Sequence, residues 1–156
     1  MGTEIERKFL VVGDQWRSLG QGIRYCQGYL STQPTVRARI AGNKGYLTIK
    51  GPSDGVSRAE FEYAIPLDDA QTMLDTLCQR PWVEKFRTKI PIGDLVWEVD
   101  EFMGDNRGLI LAEIELNRPD QTFALPHWIG KEVSGDSRYF NSYLVKHPFN
   151  TWPTKE

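Results

Sequence analysis

The stretch 3-TEIERKFLVV-12 alternates charge with bulk, and its reading decides the fold. In an extended chain, residues two apart face the same way. Glu4, Glu6 and Lys8 therefore share one side, and Ile5 and Phe9 take the other. Seven further stretches follow the same period: 23–30, 35–41, 45–51, 57–66, 82–92, 94–102 and 109–117, separated by Gly, Pro, Asn and Ser. A tight turn at Gly93 and Asp94 links the sixth to the seventh of the eight strands so predicted.

Helix is expected mainly over 67–79, where Asp68 or Asp69 can cap and Met73, Leu74, Leu77 and Cys78 recur at helical spacing; the segment ends before Pro81. Weaker helical stretches lie at 14–20 and 136–146. Many strands and few helices predict an α+β, mainly β fold. Its expected form is an eight-stranded antiparallel closed β-barrel with helices packed outside, because closure removes exposed strand edges. An open α+β sheet is the alternative. Residues 1–156 are read as a single domain, since a chain of this length buries a core without disulfides.

The period-2 rule places Arg37 with Arg39, Thr48 with Lys50, and Glu60 with Glu62. It also aligns Lys85, Arg87 and Lys89, then Glu98 with Asp100, and Glu113 with Glu115. Any one such pair reads as a solvated sheet face. Together they leave two arrangements open: charges outward around an apolar filling, or charges inward. The charges within a strand are mostly of one sign, and several strands set Trp, Phe or Tyr opposite them, which suits packing beneath external helices. Inward charges of like sign need compensation. Mg2+ or Mn2+ suits the oxygen donors of Glu4, Glu6, Glu98, Asp100, Glu113 and Glu115, and a polyanion suits the Lys and Arg set.

Other classes are disfavoured. A net charge of −2 argues against sequence-independent nucleic-acid binding. Cys26 and Cys78 fall in no metal or disulfide spacing, and a reducing cytoplasm is the expected location. No signal peptide, membrane span or myristoylation pattern is present in the sequence. The segments 42-GNKG-45 and 51-GPSDG-55 lack the phosphate-loop pattern and read as turns. His127 and His147 read as structural or surface residues, and Tyr29 and Tyr139 as packing groups that could instead face a tunnel.

Glu4, Glu6 and Lys8 match the E-x-E-x-K signature of the CYTH superfamily, the triphosphate tunnel metalloenzymes. The resemblance continues in order through 37-RAR-39, Lys50, 60-EFE-62, 85-KFR-87, 98-EVD-100, 113-EIE-115 and 136-DSRYFN-141. It implies an eight-stranded tunnel with inward charges and metal-dependent attack on a linear triphosphate, with two Mg2+ or Mn2+ ions. By that resemblance Glu4, Glu6 and Glu113 hold one metal, and Glu98, Asp100 and Glu115 support a second with its nucleophilic water. Lys8, Arg37, Arg39, Lys50, Lys85, Arg87 and Arg138 bind phosphoryl oxygens, Arg138 from a C-terminal segment that closes or lines one mouth, and Glu60 and Glu62 are secondary acidic groups.

The chain is most similar to short bacterial inorganic triphosphatases. The implied reaction is therefore hydrolysis of tripolyphosphate to pyrophosphate and phosphate, by a monomer or homodimer with no nucleic-acid or membrane partner. Thiamine triphosphate hydrolysis and class IV adenylyl cyclisation are alternatives, though no insertion for an adenine pocket is seen. A non-catalytic polyphosphate-binding module is a third reading, disfavoured because anion binding alone does not require the acidic set.

Overall fold

The computed structural model describes residues 2–153. Its strands are β1 (Thr3–Val11), β2 (Gly22–Thr32), β3 (Thr35–Ala41), β4 (Lys44–Lys50), β5 (Ser57–Ile65), β6 (Val83–Ile92), β7 (Leu95–Phe102), β8 (Ile110–Glu115) and β9 (Ile129–Glu132), with helices α1 (Leu67–Thr76) and α2 (Asn141–Leu144). The sheet order is β5-β4-β3-β2-β6-β7-β8-β1, and an additional β5–β1 pairing joins the ends into an eight-stranded antiparallel ring. Closure depends on how β1 divides one edge. Thr3, Glu4 and Ile5 pair with β5, whereas Phe9 and Val11 pair with β9. The other edge of β1 runs against β8 from Glu6 to Leu10. The hairpin of β6 and β7 pairs Ile92 with Leu95, so Gly93 and Asp94 form its two-residue turn, with Gly93 at φ +63° where a side chain would be strained.

Strand β9 was not anticipated, since its four residues, Ile-Gly-Lys-Glu, are too few to display a period. The weak helices at 14–20 and 136–146 are also corrected. The first is a 3-10 turn, Gln15–Leu19. The second breaks at Phe140, whose extended backbone separates the 3-10 turn Ser137–Tyr139 from α2. In α1 the N-cap is Pro66, with no side-chain cap bond. Asp68 and Asp69 lie instead in the first turn, where they favour the helix dipole.

Apolar packing lies against the outside of the ring and at one end of it. Outside, Phe9, Trp97 and Trp128 meet edge to face, at centroid distances of 5.5 Å and 5.9 Å around Trp97, above Val99, Ala112 and Ile114. Helix α1 covers β2 to β4 through Leu74, Ala38 and Cys26. It comes close because Gly28 and Gly45 leave room: a Cβ on Gly28 would stand 2.9 Å from Cys78 Cβ, and one on Gly45 2.9 Å from Ala70 Cβ.

Tyr29, Val83, Phe102, Leu109 and Leu111 pack with Tyr139, Leu144, Phe149 and Trp152 of the C-terminal segment. By strand alternation these ring residues share the inward side with the charges, so an apolar plug closes one end. Among the described residues no helix is long and apolar enough to cross a membrane.

Candidate functional site

The charged faces point inward, the arrangement that periodicity alone left open. A cavity of about 660 Å³ is lined by Glu4, Glu6, Lys8, Arg37, Arg39, Lys50, Glu60, Glu62, Lys85, Arg87, Lys89, Glu98, Glu113 and Glu115. Ring order sorts them into two arcs. Strands β7, β8, β1 and β5 are neighbours and carry the carboxylates. Strands β4, β3, β2 and β6 form the other half and carry the cations, with Tyr25, Gln27 and Tyr29 on β2 between Arg39 and Lys85. Lys8 on β1 and Arg58 on β5 are cations that stand on the acidic arc and line the cavity. The segregation follows from strands mostly of one sign placed next to one another.

Ion pairs form both across the arcs and within the acidic one. Lys50 Nζ lies 2.8 Å from Glu4 and 3.6 Å from Glu60. Lys8 Nζ lies 3.3 Å from Glu113 and donates to the Tyr139 carbonyl at 3.1 Å. Arg87 reaches Glu113 at 3.1 Å and Glu98 at 3.2 Å. Burial would depress the Lys8 ammonium, but Glu113, Glu6 and Asp100 hold it above its ordinary value. Burial likewise would raise Glu113, yet Lys8, Arg87 and Lys85 hold it well below the usual carboxylate range.

Other groups lack that compensation. Glu6 is pushed well above the carboxylate range by burial and by the charges of Glu113 and Glu4. Glu60 rises to about 7 through burial and a hydrogen bond shared with Glu4. On the cationic arc, burial and the neighbouring Arg37 and Arg87 lower Arg39 to about 10. Burial, with Arg87 and Arg39, lowers Lys85 to about 7 despite Asp100 beside it. Arg37 Nη2 reaches Thr48 at 3.3 Å and Glu62 at 3.9 Å, but its Nε is buried with no hydrogen-bond partner. A buried orphan donor costs about 1–3 kcal/mol, which a bound acceptor would recover.

Two expected site residues stand elsewhere. Asp100 is fully buried and does not line the cavity. Its oxygens accept from Arg87 Nε at 2.7 Å and Arg87 Nη2 at 2.9 Å, and Lys85 Nζ is 2.7 Å away. Arg138 is also absent from the lining; it pairs with Asp136 at 2.6 Å and lies 5.4 Å from the ring centres of Tyr139 and Trp152.

Residues the sequence did not single out take part. Asn141 Oδ1 accepts from Lys85 Nζ at 2.8 Å, Gln27 is wholly buried among the cations, and Arg39 and Arg87 stack on Tyr25 at 4.9 Å and 5.0 Å. Neutral amides and a lone Tyr carry no charge pattern that could have marked them. Tyr29 both packs in the apolar plug and lines the cavity, whereas the Tyr139 ring packs in the plug and its carbonyl accepts from Lys8.

Among the described residues no three Asp, Glu, His or Cys side chains are gathered into a ready-made cation site. The donor chemistry nevertheless fits one. Glu4, Glu6 and Glu113 repel one another closely enough to raise Glu6, and a divalent cation is what relieves such repulsion.

Residues 2–142 match the CYTH domain family. A protein of Acetivibrio thermocellus named inorganic triphosphatase is 50% identical over 154 residues, spanning 97% of this chain and 99% of that one. Another of the same name, from Nitrosomonas europaea, is 39% identical over 151 residues, spanning 92% and 97%. A crystal structure of an inorganic triphosphatase superposes with a TM-score of 0.61 at 32% identity, over 90% of this chain and 96% of its own.

Proposed function

We infer that this chain, which belongs to the CYTH domain family, is an inorganic triphosphatase that splits tripolyphosphate into pyrophosphate and phosphate. The observation that carries the reading is a tunnel with two opposed and undercompensated walls. One has an orphaned guanidinium nitrogen on Arg37 and an Arg39 crowded by like charges, and the other has a Glu6 repelled by Glu113 and Glu4. A linear polyphosphate satisfies the first wall and divalent cations the second. The two named relatives are of nearly this chain's full length, which supports the same assignment.

In this reading Glu4, Glu6, Glu113 and Glu115, with Glu98 toward the β7 side, hold two Mg2+ or Mn2+ ions. When bound, these neutralise phosphoryl charge and activate water for in-line attack. The chain's own groups do the rest. Arg37, Arg39, Lys50, Lys85 and Arg87 grip the phosphoryl oxygens, the Arg residues through planar forks. Lys8, held by Glu113 and the Tyr139 carbonyl, places a positive charge on the acidic wall. Positioning and fixed charge of this kind supply most of the rate in phosphoryl transfer, since the protein forms no bond to the phosphorus.

The test offers tripolyphosphate, thiamine triphosphate and ATP to the purified protein with Mg2+ or Mn2+, scoring phosphate, pyrophosphate and cyclic AMP. Equal amounts of phosphate and pyrophosphate from tripolyphosphate are expected, and Glu4→Gln should lower the rate on the order of 10²–10³-fold with an unchanged circular dichroism spectrum. Cyclic AMP from ATP as the main product, or no turnover of any substrate, would overturn the assignment.

A further inference from the structure

We propose that Gln27 is a positioning residue that fixes the Tyr29 hydroxyl as a hydrogen-bond donor to a phosphoryl oxygen of the substrate. The proposal rests on the triphosphate reading of the cavity. It follows from the polarity of one chain of hydrogen bonds, anchored at Arg39 by a group that can only donate.

At one end Arg39 Nε meets a Gln27 side-chain atom at 2.8 Å. A guanidinium has no lone pair to offer, so that atom is the amide oxygen, and the amide nitrogen must face the other way. At the far end Lys85 Nζ donates to Asn141 Oδ1 at 2.8 Å. Gln27 Nε2 then has two hydrogens and two acceptors within reach: Asn141 Oδ1 at 3.1 Å and the Tyr29 hydroxyl oxygen at 3.2 Å. Arg39 thus dictates the orientation of the Gln27 amide, and the orientation of Gln27 dictates that Tyr29 receives a hydrogen bond. The phenol hydrogen must be given to something else, and Tyr29 lines the cavity.

The strand geometry makes this hard to undo. Gln27 pairs directly with Arg39 across β2 and β3, and Tyr29 with Arg37. Gln27 is completely buried, so no water competes for its amide. Tyr29 therefore stands opposite Arg37 in the strand register, on the cationic wall assigned above to the phosphoryl oxygens.

Gln27→Glu inverts the polarity at constant shape. A carboxylate satisfies Arg39 but cannot donate, so the Tyr29 hydrogen turns toward it and away from the cavity. The added charge also repels substrate, and a double-mutant cycle with Tyr29→Phe removes that common effect. Gln27→Met, which is neutral and close in shape, completes a second cycle should the buried carboxylate prevent folding.

Both cycles are read in kcat/KM for tripolyphosphate with Mg2+ and in metal-free tripolyphosphate affinity by calorimetry. Gln27→Glu should cost about tenfold more with Tyr29 present than with Phe there, and Gln27→Met a smaller excess of the same sign. Equal losses in both backgrounds, in rate and in affinity, would show that Gln27 acts without Tyr29 and would overturn the proposal. Coupling in affinity without wild-type turnover would instead overturn the hydrolase reading and leave the role of Gln27 standing.

Discussion

Replacing Asp100 by Asn removes one charge from a place no solvent reaches, and the outcome separates two roles for this residue. In the structure Asp100 accepts from Arg87 at 2.7 Å and 2.9 Å and lies 2.7 Å from Lys85. Burial alone would raise its pKa, but Arg87 and Lys85 hold it below the ordinary carboxylate range. A depressed carboxylate contributes stability that is fully present above its unfolded value, so at pH 7 the whole contribution is at stake. Removing one partner of a buried pair costs about 3–5 kcal/mol. Arg87 keeps Glu113 at 3.1 Å and Glu98 at 3.2 Å, which favours the lower end. For a chain of this length a loss of about 3 kcal/mol lowers Tm by roughly 6–12 °C.

The assay is thermal unfolding of both proteins in metal-free buffer, with and without tripolyphosphate. Asp100→Asn should melt lower by that amount. It should also gain more from the polyanion than the wild type does, because its buried cations lack their counter-charge. If Asp100 were a metal ligand instead, the metal-free variant would melt as high as the wild type or higher, having lost a carboxylate that only the metal compensates. That result would refute its assignment as the partner of Arg87 and Lys85.

Arg37→Lys deletes the orphaned Nε and the planar fork, so KM for tripolyphosphate should rise about tenfold with Tm unchanged or slightly higher; an unchanged KM would remove Arg37 from the substrate wall. Glu60, raised to about 7, binds its proton more tightly folded than unfolded, so its contribution is lost as pH rises from the unfolded value through 7. The Tm of Glu60→Gln should therefore exceed that of the wild type by more at pH 8 than at pH 5.5, by on the order of 1–2 °C given the partial exposure of the group, and a gap independent of pH would refute the shift. Gly28→Ala would set a Cβ 2.9 Å from Cys78 Cβ and 3.0 Å from Leu74, costing about 1–3 kcal/mol, while kcat of the folded protein holds because α1 lies outside the ring; a fall in kcat without a fall in Tm would contradict that placement.

The ring itself was legible because several strands repeat one charge sign on one face, as 85-KFR-87 and 113-EIE-115 do, and such runs survive in sequence whatever surrounds them. Whether those faces turned inward was not legible from periodicity, although the family resemblance implied it. Strand alternation is symmetric under exchange of the two sides, and only the burial of Lys85, Arg87 and Glu113 resolves it. Arg138 looked equivalent to the other cations in sequence. Its neighbour two residues back, Asp136, decides otherwise by pairing with it at 2.6 Å. Asp100 matched the acidic motif as fully as Glu98 does, yet Glu98 faces the cavity while Asp100 lies one step deeper, between Arg87 and Lys85. Depth along a strand is set by ring stagger, which no single strand encodes. Gln27 and Asn141 are neutral, and their importance lies wholly in what the fold sets beside them.

The cavity lining carries cations and carboxylates in nearly equal number, and this constrains how the site can fill. A bare polyanion would satisfy Arg37 and Arg39 but would face Glu4, Glu6 and Glu113 across the tunnel. Divalent cations alone would relieve Glu6 but would confront Lys8 and Lys50, which already hold Glu113 and Glu4. Either guest alone leaves a buried charge without a partner, at a cost of several kcal/mol per ion. A triphosphate that enters with its metals brings close to zero net charge and both signs in the needed places. The ion pairs Lys50–Glu4 and Lys8–Glu113 can then exchange for guest contacts with no charge stranded. The near-neutral lining therefore makes substrate and metal mutually dependent, and reciprocal coupling requires each to tighten the binding of the other by the same factor.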